Sequence, residues 1–178
     1  MPYGRTIRRG GSYNRLAEPS WVDPLDTSYS RERGGRWNPP GSFGVLYLNR
    51  DLRTARLQVL HKLRGQPYGV EDLDDHEQHD LVSVRVDAHA WLDCVTDRGL
   101  GAVGLPATYP RHTNGRPVRH ESCRPIGQTA HDEGRPGIAC RSAADGATQD
   151  DEELAVFDRE VPSCVRITRR EGFAAWFW

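Results

Sequence analysis

The segment Arg33-Gly34-Gly35-Arg36-Trp37-Asn38-Pro39-Pro40-Gly41 concentrates side chains and backbone freedom suited to holding a phosphorylated ligand. Its paired glycines let the backbone approach a ligand closely or take positive φ, and Asn-Pro-Pro-Gly makes a stiff turn with few backbone donors. Arg36 offers paired donors to a phosphate, Trp37 a flat face to a planar ring, and Asn38 stands beside them as a third binding residue. Composition alone favours a plainer role, a tight turn ahead of a strand with Arg36 solvated and Trp37 plugging the core. Neither a Gly-x-x-x-x-Gly-Lys phosphate loop nor a strand-linked Gly-x-Gly-x-x-Gly fingerprint occurs, so ATPase and Rossmann readings have little support.

Other reactive side chains point to no second chemistry. His76-Glu77-Gln78-His79 places its histidines three apart, whereas a zinc-binding helix needs them four apart, so the acidic segment reads as solvated and no metal is expected. The four cysteines, Cys94, Cys123, Cys140 and Cys164, lack Cys-x-x-Cys spacing and read as reduced thiols of a cytosolic protein. No cysteine has a partnered-His signature nearby, and Cys140 reads as a packed thiol.

Several elements must position these groups. Phe43-Gly44-Val45-Leu46-Tyr47-Leu48 predicts a buried strand with Tyr47 near its end. From Asp51 to Leu63 the residues Leu52, Ala55, Val59, Leu60 and Leu63 form a helical stripe, with Gln58 off its centre. Valines 82, 84 and 86 alternate with polar residues as in a half-buried strand, and Gly137 to Ser142 predicts another. Residues 96–119, rich in Gly and Pro, contain a long loop on this reading, and Pro125 to Glu133 reads as a helix. The run Asp150-Asp151-Glu152-Glu153 suits the first turn of a helix carrying Leu154 and Phe157. Thr168 to Glu171 has capping-box spacing before a docked end at Phe173, Trp176 and Phe177. Strands and helices without regular alternation predict an α+β fold, one domain over residues 1–178.

Length and charge set the outer limits. A chain of 178 residues supports one real core, for which five Trp, six Tyr and four Phe supply large side chains. With a net charge of −1, no global basic field recruits nucleic acid or an anionic membrane, so any anion site is local. The basic start, Met1 to Gly11, lacks the apolar stretch of a signal peptide, and no apolar run spans a bilayer; a cytoplasmic location is expected.

Four segments in order, Asn14-Arg15-Leu16, Gly34 to Pro40, Val45-Leu46-Tyr47-Leu48 and Gly137 to Ser142, resemble the RES-domain proteins, many of which are toxins paired with Xre-type antitoxins. The resemblance implies a compact fold similar to ADP-ribosyltransferase toxins. It also implies cleavage of the nicotinamide–ribose bond of NAD as substrate, with phosphate, water or a macromolecule accepting the ADP-ribose. The family's functional positions fall on Arg15 and Arg36 as basic pocket residues, on Tyr47, and on Ser142.

Gln58 departs from that pattern, since it stands eleven residues beyond Tyr47, where the resemblance implies a catalytic Glu. Breaking the glycosidic bond builds positive charge on the ribose, which a carboxylate stabilises and an amide does not. A slower NAD phosphorylase or glycohydrolase is the first expectation. An NAD-binding sensor or antitoxin-binding protein without useful turnover, and an ADP-ribosyltransferase with a macromolecular acceptor, remain open. A compensating acid is not assigned among Glu71, Asp72 and Glu121.

Overall fold

Alternating apolar residues, not the acidic and capping signals, set the main architecture. The computed structural model describes residues 2–178. Its strands are β1 (Thr6–Ala17), β2 (Val45–Asn49), β3 (Asp80–Cys94), β4 (Gly137–Arg141), β5 (Glu152–Phe157) and β6 (Val165–Glu171). The helices are α1 (Ser28–Arg33), α2 (Leu52–Lys62), α3 (Asp97–Ala102), α4 (His120–Asp132), α5 (Val161–Cys164) and α6 (Phe173–Trp176). Strand order is β1-β2-β5-β4-β3-β6, with β3–β4 parallel and the other pairs antiparallel. Because β1 also pairs with β3 from Thr6↔Leu92 to Ala17↔Asp80, the pairings close a ring of five strands, and β6 adds to β3 outside it. The mixed sheet with separate helices is the α+β fold that the sequence predicts.

Apolar side chains cover both faces of the central strand β5. Ala155 and Phe157 pack with Trp37, Phe43, Leu100, Ile126 and Ile138, while Leu154 and Val156 pack with Tyr13, Leu46, Leu48 and Trp91. Full burial of each large side chain contributes about 1.5–3 kcal/mol. A third cluster joins Ala55 and Val59 of α2 to Leu81 and to Phe173 and Trp176 of the C-terminal turn. No helix among the described residues is long and apolar enough to cross a membrane.

Strands expected from alternation are present, and Val82, Val84 and Val86 are buried in a β3 longer than the pattern indicated. The helix at Asp51 is also present, capped where Asp51 accepts from the Thr54 amide at 2.8 Å, but Leu52 and Leu60 are exposed and Thr54 joins Ala55 and Val59 on its buried face. Residues 96–119 contain α3, and α4 starts at His120, ahead of Pro125. The acidic run starts strand β5 instead of a helix. Three of its four acids have a tertiary use: Asp151 binds Arg53 and Thr148, Glu152 takes Arg9 Nε at 2.7 Å, and Glu153 enters a cavity. Thr168 to Glu171 likewise lies in β6, where Thr168 Oγ1 donates to Ser83 O at 3.1 Å, so its capping-box spacing caps nothing. Local spacing lost to long-range pairing in both segments. Phe173 and Trp176 are docked as expected.

Candidate functional site

A cavity of about 200 Å³ opens between β1, β2, β5 and α2, lined by Arg15, Leu16, Tyr47, Asn49, Gln58, Lys62 and Glu153. It shares Arg15, Leu16, Tyr47 and Lys62 with a second cavity of about 410 Å³, whose walls add Trp21, Tyr29 and His79. Pleating and pairing explain the convergence. Tyr47 lies opposite Ala155 on β5, Glu153 lies opposite Asn49, and the helix that follows β2 brings Gln58 over the same strands.

Arg15 is the electrostatic centre. Its Nε and Nη1 reach only the carbonyl oxygens of Pro24 and Tyr47, each at 3.4 Å, and its guanidinium lies 5.6 Å from the Trp21 ring centroid. Burial pulls its pKa well below the ordinary arginine value, to about 10, and among the described residues it has no ion-pair partner. The Lys62 ammonium stands 3.4 Å from His79 Nε2. Burial, then the charge of Arg15, lowers the Lys62 pKa; burial, then Lys62, lowers that of His79. Glu18 and Asp26 are the acids of the larger wall, yet Asp26 binds Ser28 and neither forms an ion pair with these bases among the described residues. Arg15 lowers Lys62, and both lower His79, so two crowded cations beside an imidazole make a site suited to an anion.

Gln58 Nε2 donates to Ser142 Oγ at 3.3 Å and to Glu153 Oε1, and Ser142 Oγ donates to the same Oε1 at 2.8 Å. Ser142 is fully buried, so it backs the cavity through these two residues. Burial raises the Glu153 carboxyl, against the opposing pull of Ser142, Arg36 and Gln58. Tyr47 keeps its proton, because burial pushes its hydroxyl up, and that oxygen accepts from Trp37 N at 3.3 Å. Gly35 permits this arrangement, since a Cβ there would overlap the Tyr47 hydroxyl.

Four of the expected residues, Arg15, Tyr47, Gln58 and Ser142, therefore converge. Arg36 stands apart: it lines a different cavity of about 460 Å³ with His61, Arg64 and Arg111, and its Nη1 donates to Val118 O at 3.0 Å. Trp37 presents no stacking face, because it is 0% exposed and packs in the core, tilted against Tyr109. Asn38, also at 0%, is a latch of the turn, donating from Nδ2 to Ser30 O and Phe43 O at 2.8 Å each. Both corrections have one cause: the Pro-rich turn folds inward ahead of β2, so its aromatic and amide fill interior space.

Lys62, His79, Trp21 and Glu153 were not singled out for this site by sequence. Lys62 was findable, lying one helical turn after Gln58. His79 was set aside with the false zinc motif, and Glu153 was hidden in an acidic run read as a helix start. Glu71, Asp72 and Glu121 are exposed and line neither cavity. All four cysteines are buried and free. Asp74, His76 and Glu77 lie close enough to share a cation but are largely exposed.

The model of the RES domain matches residues 12–177. Among solved structures, the chain is similar to one from the crystal structure of the M. tuberculosis MbcT-MbcA toxin-antitoxin complex, with a TM-score of 0.75 and 20% identity over 97% of this chain and 92% of that one. No curated protein matches the sequence.

Proposed function

Because this chain belongs to the RES-domain family, we propose that it cleaves NAD at the nicotinamide–ribose bond as a toxin-like enzyme. The observation that carries this reading is the half-buried Arg15, without an ion-pair partner among the described residues, beside Lys62 and His79 at the junction of two cavities. A dinucleotide matches that layout. Its pyrophosphate takes the basic junction, one ring packs along Trp21 and Tyr29, and the nicotinamide ribose enters the smaller cavity beside Tyr47 and Gln58.

In the reaction, the bond between ribose C1′ and nicotinamide N1 breaks and its electron pair leaves with neutral nicotinamide. Water then adds to the cationic C1′ and gives up one proton to solvent, or a phosphate oxygen anion adds and forms the C1′–O bond directly. Arg15 and Lys62 hold the pyrophosphate, the neutral Tyr47 hydroxyl bounds the ribose, and the Gln58 amide oxygen accepts from a ribose hydroxyl. Arg36, which lines a separate cavity, sends positive potential toward Glu153 without touching this ligand.

Gln58 also favours a second reading, a NAD-binding protein without useful turnover. That the similar chain was crystallised in a toxin-antitoxin complex supports an antitoxin-type partner in either case. Nicotinamide release from NAD by the purified protein, with and without phosphate, tests the proposal alongside calorimetric NAD titration. Release selects the enzyme, faster release with phosphate selects the phosphorylase, and binding without release selects the second reading. A folded protein that neither binds nor cleaves NAD refutes both.

A further inference from the structure

We infer that Glu153 is a catalytic residue of this site, its carboxylate on strand β5 supplying the negative charge that Gln58 on helix α2 cannot. The inference rests on the NAD-cleaving reading. Among the described residues Glu153 is the one acid lining the smaller cavity, where it faces Arg15, Tyr47 and Gln58. Its Oε1 is fixed by two donors, Ser142 Oγ at 2.8 Å and Gln58 Nε2, while Oε2 has no protein hydrogen bond among the described residues. Oε2 is thus the oxygen left for a ligand.

The same contact explains an amide at position 58. A carboxylate neighbour requires a donor, which orients the Gln58 amide with its nitrogen toward Glu153 and its oxygen away. Glutamate at both positions would set two carboxyl groups within hydrogen-bond reach, and one would have to hold a proton. Gln58 and Glu153 therefore form one amide–carboxylate pair whose charge sits on the strand. When the C1′–N1 bond breaks and its electrons leave with nicotinamide, the fixed carboxylate stabilises the ribosyl cation; it transfers no proton and forms no bond.

Adding a carboxylate alone, as Gln58→Glu, should accordingly give no faster cleavage, whereas moving the charge should preserve it. Nicotinamide release and NAD affinity are measured for the parent, Glu153→Gln, and Gln58→Glu combined with Glu153→Gln, with folding checked by melting. Expected is a fall in kcat of roughly a hundred- to a thousand-fold for Glu153→Gln at nearly unchanged NAD Kd, and recovery to within about tenfold of the parent in the exchanged protein. Should Glu153→Gln not fold, the exchanged protein decides alone, since activity there without residue 153's charge shows that the pair shares one role. Parent-like turnover in Glu153→Gln, or an exchanged protein as slow as that variant, overturns the inference while leaving NAD cleavage intact. A parent that binds NAD without cleaving it overturns the inference and the catalytic half of the functional reading; a parent that does not bind it overturns both entirely.

Discussion

Replacing Arg15 by Met separates a ligand-binding arginine from a structural one, because the two roles move stability in opposite directions. Met keeps a long unbranched side chain beside Trp21 and removes the charge. In the free protein the guanidinium is held at about 10, well below the ordinary arginine value, chiefly by burial. At about 1.36 kcal/mol per pKa unit, that corresponds to roughly 3 kcal/mol of unfavourable desolvation. Its two long carbonyl contacts, at 3.4 Å, return about 1 kcal/mol each at most, so Arg15→Met should leave unfolding free energy unchanged within about 1 kcal/mol or raise it. NAD loses charge-assisted hydrogen bonds to its pyrophosphate, together worth about 1.5–3 kcal/mol, so its Kd should rise roughly 10- to 150-fold. Calorimetric titration gives the affinity and urea denaturation the stability. A variant destabilised by more than about 3 kcal/mol with unchanged NAD affinity would refute the reasoning and make Arg15 a support for the Pro24 and Tyr47 carbonyls.

Two further outcomes follow from packing and titration. Gly127 of α4 lies so close to the Trp37 carbonyl that an added Cβ would collide with it, so Gly127→Ala should lower stability by an amount at or above the upper end of about 1–3 kcal/mol, read as a drop in urea midpoint; a neutral result would mean that α4 can shift away from the turn. Burial raises the folded-state carboxyl of Glu153 above 4.5, against Ser142, Arg36 and Gln58, so the folded protein binds this proton more tightly than the unfolded chain and loses stability as pH rises through the folded value. Glu153→Gln lacks that titration, and its melting temperature should gain on the parent from about pH 4.5 upward; a difference constant with pH would show that Glu153 is effectively solvated.

Periodicity made β2, the middle of β3 and α2 legible, because each buries a face whose spacing matches its own geometry. Arg15, Tyr47, Gln58 and Ser142 were legible only together, since none has a distinctive neighbourhood in sequence. Glu153 was invisible for a physical reason: its acidic neighbours satisfy a helix N-terminus as well as they satisfy Arg53, Thr148 and Arg9. Only the pairing of β5 between β2 and β4 decides the matter. Trp37 was ambiguous because an exposed ring and a buried one look alike before the turn's direction is known. His79 shows the reverse error, in which rejecting a metal motif set aside a residue that lines the larger cavity.

The position of β5 also orders events in time. It lies inside the ring of strands, yet it is made after the other four ring strands. A growing chain carries Arg15, Tyr47 and Gln58 long before it carries Glu153, and until residues 152–157 emerge, β2 and β4 have no strand between them. The last turn acts later still: Arg56 of α2 donates to Phe177 O at 2.8 Å and Trp176 O at 3.0 Å, so the helix bearing Gln58 is fastened by residues near the C-terminus. Such distant pairings fold slowly. The cavity lined by Arg15, Tyr47, Gln58 and Glu153 is therefore complete only after residues 152–157 have paired between β2 and β4.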